Sequence, residues 1–385
     1  MKLRRCAVLM IEPREHLEFD LGVLFQGDAA FAARITWVAL APHLDGEVEL
    51  SVEDLPILAH VGETLWMERD ALPAEFDSAR IAALLDTGIL IGDLPAHAAH
   101  RLRDERTRAA HWRPLSAIGH AFSRWHGQRA DIDPGTDRFK NVREMVEALG
   151  APPPETISRA SAAARIALPT AHSGALDLAL FARYTGRNYD RAATLPTATA
   201  ARLLQRTFGA QAHRELGPGA IALKKTSPSG GSLHPIEAYV LAQRVEGVAT
   251  GLYHYHPLAH ALEPVQALDA ASASALALRF VAGQHWFADA PMLVVLAARV
   301  RRNFWKYRNH PKAYRAIVLD AGHLSQTFYL LAAEANMPAF ITAAINEVDI
   351  EQALDLDPIN DAVLAVLGCG EAANESSTVE FRSAT

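Results

Sequence analysis

Two nearly unbroken apolar runs, MLVVLAARV at residues 292–300 and AVLAVLG at 362–368, constrain this chain most. A strand alternates its side chains between two faces, so a run without polar breaks is a strand covered on both. Between them, from Asp320 to Asn336, the residues Ala321, Leu324, Phe328, Leu331 and Ala335 keep helical spacing. The other face of that helix is apolar enough to suggest burial at a subunit interface. TATAARLLQRTFG, residues 197–209, reads as a helix with Thr197 or Thr199 near its start and Gly209 closing it. PIEAYVLAQRV alternates apolar and polar from Ile236 as a half-buried strand does, and GLYHYHPLAHALEPV reads as a hairpin turning around Pro257. Helices and strands alternate without an internal repeat, so the fold class is α+β.

The chain has 385 residues, half of them hydrophobic, enough for two domains with substantial cores. EALGAPPPETISRASAAA, residues 147–164, interrupts the apolar periodicity with a Pro triplet and small residues. The expected division is a domain over 1–150, a linker over 151–170 and a second domain over 171–385. Upstream of the linker, Ser51 and Asp54 form a capping box ahead of Leu55, Ile57, Leu58 and Val61. In FDSARIAALLDTGILIGD, residues 76–93, helical spacing at Ile81, Leu84 and Leu85 ends at Gly88, and Ile89 to Ile91 reads as a strand. Helix, helix and strand suggest a winged-helix-like α/β domain. Its second helix sets Arg80 against Asp77 and Asp86, so a peptide suits it better than the major groove of DNA.

A formal net charge of -7 argues against a nucleic-acid partner. Cys6 and Cys369 alone, at opposite ends, provide neither a disulfide framework nor a Cys-ligated metal site. After MKLRR the apolar stretch CAVLMI is too short for a signal sequence and meets Glu12 and Arg14. No other stretch approaches the length of a membrane span, so the expected location is cytoplasmic.

Three stretches carry candidate chemistry. KKTSPSGGSLHPIEAYV, residues 224–240, places a Pro-Ser-Gly-Gly turn, Pro228, Ser229, Gly230 and Gly231, ahead of a strand. Glycines admit positive φ and close approach to a ligand, and Thr226, Ser227, Ser229 and Ser232 offer short hydrogen-bonding side chains. The stretch has neither Walker A order nor G-x-G-x-x-G, and an ordinary turn feeding an antiparallel strand is the alternative. FARYTGRNY, residues 181–189, puts Arg183, Thr185 and Arg187 on one side of an extended segment, where two guanidiniums and a hydroxyl suit a phosphate dianion. A solvated basic edge is the alternative. RVRRNFWKYRNHPKAYR, residues 299–315, interleaves basic and aromatic residues; read alone it could stack and charge-pair with nucleic acid, against which the acidic whole speaks. Within it, Lys306 beside Tyr307, crowded by Arg301, Arg302 and Arg308 and partly desolvated, can act as a base. His254, His256 and His260 share one hairpin, with no third metal ligand evident.

In order, FARYTGRNY, SPSGGSLHPIEAYV, GLYHYHP, WKYRNHPKAYRAIVLDAGHLSQTFYLLAAEA and AVLAVLG resemble the SagB-type dehydrogenases of the nitroreductase superfamily, which include oxidases that turn azolines into azoles in ribosomal peptide maturation. The resemblance spans roughly residues 175–370. It implies FMN held between the two subunits of a domain-swapped homodimer, a precursor peptide as substrate and a cyclodehydratase as partner. In that family an Arg-x-Ser-x-Arg stretch holds the FMN phosphate, a place taken here by Arg183, Thr185 and Arg187. Pro228, Ser229, Gly230 and Gly231 match the loop along the isoalloxazine. Lys306 and Tyr307 match the Lys-Tyr pair that removes a proton. Many relatives carry a basic residue after the C-terminal Leu-Gly; here Gly368, the matching cofactor-side glycine, is followed by CGEAAN, which shifts phosphate binding onto Arg183 and Arg187. Residues 1–150 resemble the family only loosely, through HAFSRWHG at 120–127. Two other readings remain: an NAD(P)H-dependent reductase of nitro compounds, quinones or dehydroamino acids on the same fold, and a non-catalytic scaffold in a peptide-modifying complex.

Overall fold

The computed structural model describes residues 1–19, 31–132 and 142–382. Its N-terminal elements are β1 (Lys2–Arg5), β2 (Met10–Phe19), β3 (Phe31–Leu40), β4 (Val48–Leu50), α1 (Asp54–His60), β5 (Met67–Glu68), α2 (Ser78–Asp86), β6 (Leu90–Gly92), α3 (Ala98–Ala110), α4 (Pro114–Ala121) and α5 (Val142–Leu149). There follow α6 (Asp177–Ala182), α7 (Thr197–Phe208), β7 (Ala212–Gly217), β8 (Ala220–Lys224), β9 (Ile236–Ala242), β10 (Gly251–His256), β11 (Ala261–Ala267), α8 (Ala270–Phe280), α9 (His285–Ala288), β12 (Met292–Arg299), α10 (Val300–Phe304), α11 (Ala313–Glu334), β13 (Ala339–Thr342), α12 (Glu347–Leu354) and β14 (Asp361–Cys369).

The two apolar runs are neighbouring strands of one antiparallel sheet, ordered β11-β10-β9-β12-β14-β13. Alternation along β12 sends Val294 and Leu296 to one face, where α7 and α11 supply Leu203, Leu204, Phe208, Ile317, Leu324 and Phe328. Leu293 and Val295 go to the other face, against Ala273, Ala277 and Phe280 of α8 and Ile350 of α12. Covering on both faces is what the missing polar breaks demanded. The hairpin about Pro257 and the strand from Ile236 stand as the sequence places them. The long helix differs, starting at Ala313 rather than near Asp320. Ala313, Ile317, Ala321, Leu324 and Phe328 keep the helical spacing on its buried side, while Val318 and Leu319 lie exposed on the other.

Upstream, Asp54 accepts from the Ser51 N–H at 2.8 Å, and the Asp77 side chain accepts from Ala79 N–H to start α2. Gly88, just past α2, has φ +81°. Arg80 turns away from Asp77 and Asp86 and pairs with Glu53 and Asp54. These helices pack by a three-stranded sheet ordered β5-β1-β6; a second sheet is β2-β3-β4. Between Gly150 and Leu176 the chain has no strand or α-helix, only a 3-10 turn at Ala162–Ala164, and Ile157, Ile166 and Leu168 are exposed.

The N-terminal segment is bound tightly to the main sheet. Val8, Val38, Leu40, Trp112 and Ile118 share the core of α7 and α11. Trp112 Nε1 donates to the Ile359 carbonyl at 2.9 Å, Arg124 pairs with Glu351 at 2.6 Å, and the Gly127 and Gln128 amides donate to Asp349 and Asn346. HAFSRWHG is therefore a docking strap onto residues 346–359.

His120 sits in this seam, between Tyr314 Oη and the Pro358 carbonyl, each 3.1 Å away, and stacked on Trp112. Burial, with Arg124 nearby, pushes its pKa down to about 4. A depressed histidine stabilises the fold above its unfolded value near 6.5, and that contribution is lost as pH falls toward 4. Burial pushes the Glu351 carboxyl up to about 7, which acts in the opposite direction between pH 7 and 4.5, so the total pH profile mixes the two. The expected result is isolated by difference: the stability advantage of wild type over His120→Gln shrinks by about 3 kcal/mol between pH 6.5 and 4, measured by denaturant unfolding at each pH.

Candidate active site

The Pro-Ser-Gly-Gly turn is pinned to α11. Ser229 Oγ donates to Asp320 Oδ2 and accepts from the His234 N–H at 2.9 Å, while the Gly230 N–H donates to Asp320 Oδ1 at 3.3 Å. Ser227 Oγ meets Thr327 Oγ1 at 2.7 Å, Thr226 Oγ1 accepts from Gln211, and Ser232 donates to the Leu223 carbonyl. All four hydroxyls thus have partners inside the chain, leaving the glycine backbone as the turn's ligand-facing part. Gly231, Ser232 and His234 have φ of +64°, +60° and +46°, a tight reversal that needs its glycine. Burial raises the Asp320 carboxyl above its usual range, opposed by the hydrogen bonds from Ser229 and Gly230. Sequence reasoning missed Asp320 as the anchor; its signal was a lone carboxylate inside the apolar stretch AIVLDAG.

Lys306 and Tyr307 come to this turn from the other side. A Cβ placed on Gly231 would stand 2.7 Å from both Lys306 Nζ and Tyr307 Oη. The missing side chain is what lets an amine and a phenol converge above the backbone. Asn303, buried, holds this geometry: its carbonyl accepts from the Lys306 and Tyr307 amides and its Nδ2 donates to the Ala313 carbonyl, joining α10 to α11. Arg302 ties α10 to the turn by donating to the Leu233 and Ile221 carbonyls at 3.1 and 2.8 Å. Trp112 supports the same corner, edge-on to Phe304 at 5.0 Å and tilted against Tyr314 at 5.4 Å. One expectation is corrected: Lys306 is exposed rather than desolvated, because Arg302 turns to the carbonyls and Arg308 to Trp305 instead of closing over it. Nζ lies 5.5 Å from the centroid of the Tyr307 ring.

The Arg-Thr-Arg segment lies further along α11. Thr185 Oγ1 meets Tyr329 Oη at 3.1 Å, and the Arg183 guanidinium stands 5.6 Å from the Tyr329 ring. Arg187 reaches the Phe287 ring at 6.0 Å. Asp320 and Tyr329 are nine positions apart on one helix, about 13.5 Å along its axis, so the structure sets the clamp and the turn at separate places within one chain. The segment already satisfies an anion: buried Glu380 accepts from the Arg187 and Asn188 N–H groups at 2.6 and 3.0 Å and pairs with Arg382. With two guanidiniums, a hydroxyl and these amides, the donor set fits a phosphate.

Gly368 stands apart, next to the last residue of β14. A Cβ there would be 2.2 Å from Phe340 Cε1, so its small size serves ring packing in the sheet. In the hairpin, His254 lies between Glu237 and Glu263, and His260 Nδ1 meets Tyr255 Oη at 2.9 Å. Among the described residues no group of three or more His, Cys, Asp or Glu is placed to hold a metal ion. Both cysteines are free and buried, and burial pushes each thiol up to about 12. Among the described residues no helix is long and apolar enough to cross a membrane.

Residues 180–371 match the model of the Nitroreductase family. The chain is 31% identical over 147 residues, 37% of its length, to the Trifolitoxin-processing protein TfxB of Rhizobium leguminosarum bv. trifolii. It is 27% identical over 159 residues, 40% of its length, to the Microcin B17-processing protein McbC of Escherichia coli. The matched stretches span 38% and 56% of those two proteins. Among solved structures, the E. coli microcin synthetase McbBCD complex with truncated pro-MccB17 bound aligns over 70% of this chain and 94% of that one, at 20% identity and a TM-score of 0.47.

Proposed function

Since residues 180–371 of this chain form a nitroreductase-family domain, we propose that the protein is an FMN-dependent dehydrogenase that oxidises a modified ribosomal peptide, an azoline to an azole, during peptide maturation. The observation that carries this reading is the meeting of Lys306 Nζ and Tyr307 Oη above Gly231. The processing roles in the names of the two relatives support the choice of a peptide substrate.

In this reading Lys306 takes the acidified α-proton of the azoline ring as general base, and the Tyr307 hydroxyl stands with it on the same side of Gly231. The neighbouring ring carbon gives up a hydride, so a proton and a hydride leave together and the ring becomes aromatic. Accepting that hydride is the chemistry FMN supplies when bound. Arg183, Thr185 and Arg187 hold the FMN phosphate, and the backbone of Gly230 and Gly231 bears on the ring system.

The family resemblance supports a homodimer with each FMN held between the two subunits. The exposed stripe Arg315, Val318, Leu319, Gly322, His323 and Gln326 on α11 is the face such a dimer would cover. A cyclodehydratase that makes the azoline is the fitting partner.

The test begins with FMN titration of the purified chain, followed by flavin fluorescence. Arg187→Ala is expected to lose one charged hydrogen-bonding group from the phosphate, about 1.5–3 kcal/mol, and so to weaken FMN binding by tenfold or more. FMN affinity unchanged in that variant rules out the clamp, and wild-type protein that takes up no FMN rules out the function. Anaerobic bleaching of bound flavin by NAD(P)H alone, without peptide oxidation, would mark a reductase instead.

A further inference from the structure

The N-terminal segment and the main sheet enclose a second cleft of about 640 Å³, away from Gly231 and Lys306. Its walls are the loop around Asp45, α3, Arg124, and the end of α12 with the residues after it. Every arginine facing this cleft already has an acid. Arg103 holds both oxygens of Asp45, Arg124 holds Glu351 Oε2 at 2.6 Å, and Arg106 lies 3.8 Å from Asp357. His126 leans on Asp349, and the buried ring of His43 meets the Gly88 carbonyl.

The acids are not matched in the same way. Glu351 is only 4% exposed, and its Oε1 is buried with no hydrogen-bond partner. Leaving a buried acceptor unmade costs about 1–3 kcal/mol, more for a charged group, so this oxygen marks a position where a donor is missing. One turn on, Asp355 caps α12 in left-handed conformation, φ +53°, and among the described residues its carboxylate has neither a hydrogen bond nor an ion pair. The cleft thus opens at a helix C-terminus, where the backbone dipole also favours positive charge. Around these two acids stand Val348, Leu356, Pro358 and Ile359, an apolar lining that matches a methylene stem rather than a bare ion.

We propose that this cleft recognises a basic side chain, the guanidinium or ammonium group of an Arg or Lys on a peptide, with Glu351 and Asp355 as its acceptors. From the preceding section the inference takes only that the ligand is a peptide. A peptide anchored here by one cation is held by the seam between the N-terminal strap and the sheet. The groups that set the ionisation of Glu351 are Arg124, which favours the anion, and Glu347 and Asp357, which oppose it together with burial. A cation pairing with the Glu351 carboxylate draws the remaining proton off at neutral pH.

Calorimetric titration of the full chain tests this without flavin or turnover. The probes are N-acetyl-arginine amide and N-acetyl-lysine amide, with uncharged N-acetyl-citrulline amide as the control. At least one cationic probe is expected to bind about tenfold or more tightly than citrulline amide, with Asp355→Asn weakening it severalfold and Glu351→Gln about tenfold. At pH 7 the heat of wild type should depend on the buffer, because a proton is released, and that dependence should vanish in Glu351→Gln. Asp355 is at the surface, so its variant decides even where Glu351→Gln fails to fold. Citrulline amide binding as well as the cations, no cationic probe binding, affinity unchanged in Asp355→Asn, or calcium chloride displacing the probes would each overturn the proposal. If FMN uptake fails while the cationic probes bind, the flavin reading falls and this one stands.

Discussion

Replacing Lys306 with alanine is expected to lower turnover of the peptide by about a hundredfold or more, the usual size of general-base catalysis, while FMN stays bound. The separation of the two effects follows from where Lys306 sits. It is exposed on the loop after α10, and among the described residues its amine has no ion pair. Truncating such a side chain alters stability by a few tenths of a kcal/mol, so a fall in rate would not come from unfolding. Asn303, Arg302 and Trp112 hold the backbone of this corner and are untouched by the substitution. The loss should appear in kcat and in kcat/KM to a similar extent, because a base acts on the transition state and not on the bound peptide. Tyr307→Phe should cost less, since it removes a hydroxyl beside the amine and leaves the amine. Turnover retained in Lys306→Ala would remove the chemical role, whatever FMN does.

The sheet was legible in the sequence because strand periodicity is local: MLVVLAARV and AVLAVLG could bury both faces in no other way. The Gly-Gly turn and the Lys-Tyr pair were legible as candidates for the same reason. Their meeting was not, since Gly231 and Lys306 are brought together by the register of β9 against β12, the sharp entry into α10 and the Arg302 bonds to Leu233 and Ile221. The same limit explains the serines. A hydroxyl in a turn looks available from sequence, and only the fold brings Asp320 and Thr327 under Ser229 and Ser227. Lys306 was expected to be crowded by its neighbours in sequence, but guanidiniums on a short helix point where carbonyls call them, and Arg302 went to Leu233 and Ile221. HAFSRWHG gave a family hint without a purpose; its partners at 346–359 lie more than two hundred residues away, beyond any pattern in the segment itself.

Gly231→Ala should damage catalysis nearly as much as Lys306→Ala, although the new side chain is a single methyl. Two costs arise, and they differ in kind. The backbone cost is the left-handed conformation, φ +64°, which burdens an L-residue with about 1–2 kcal/mol and should lower the melting temperature by a few degrees. The positional cost falls on the reacting groups. The methyl carbon would stand 2.7 Å from Lys306 Nζ and Tyr307 Oη and 3.2 Å from Lys306 Cδ, closer than the 3.4–4 Å of ordinary contact. Both groups are the free ends of side chains, so they yield without breaking the fold, and that is why the stability cost stays small. Yielding moves them by most of an ångström, and a misplacement of about 1 Å can cost about a hundredfold in rate. The variant is thus expected to fold, melt slightly early and turn over about a hundredfold more slowly. The double variant Gly231→Ala with Lys306→Ala separates this account from general damage to the site. If the methyl acts by displacing the lysine, the second substitution adds little to the first, and the losses are far from additive. Losses that multiply, or a Gly231→Ala enzyme with normal turnover, would show that the amine does not work above this glycine.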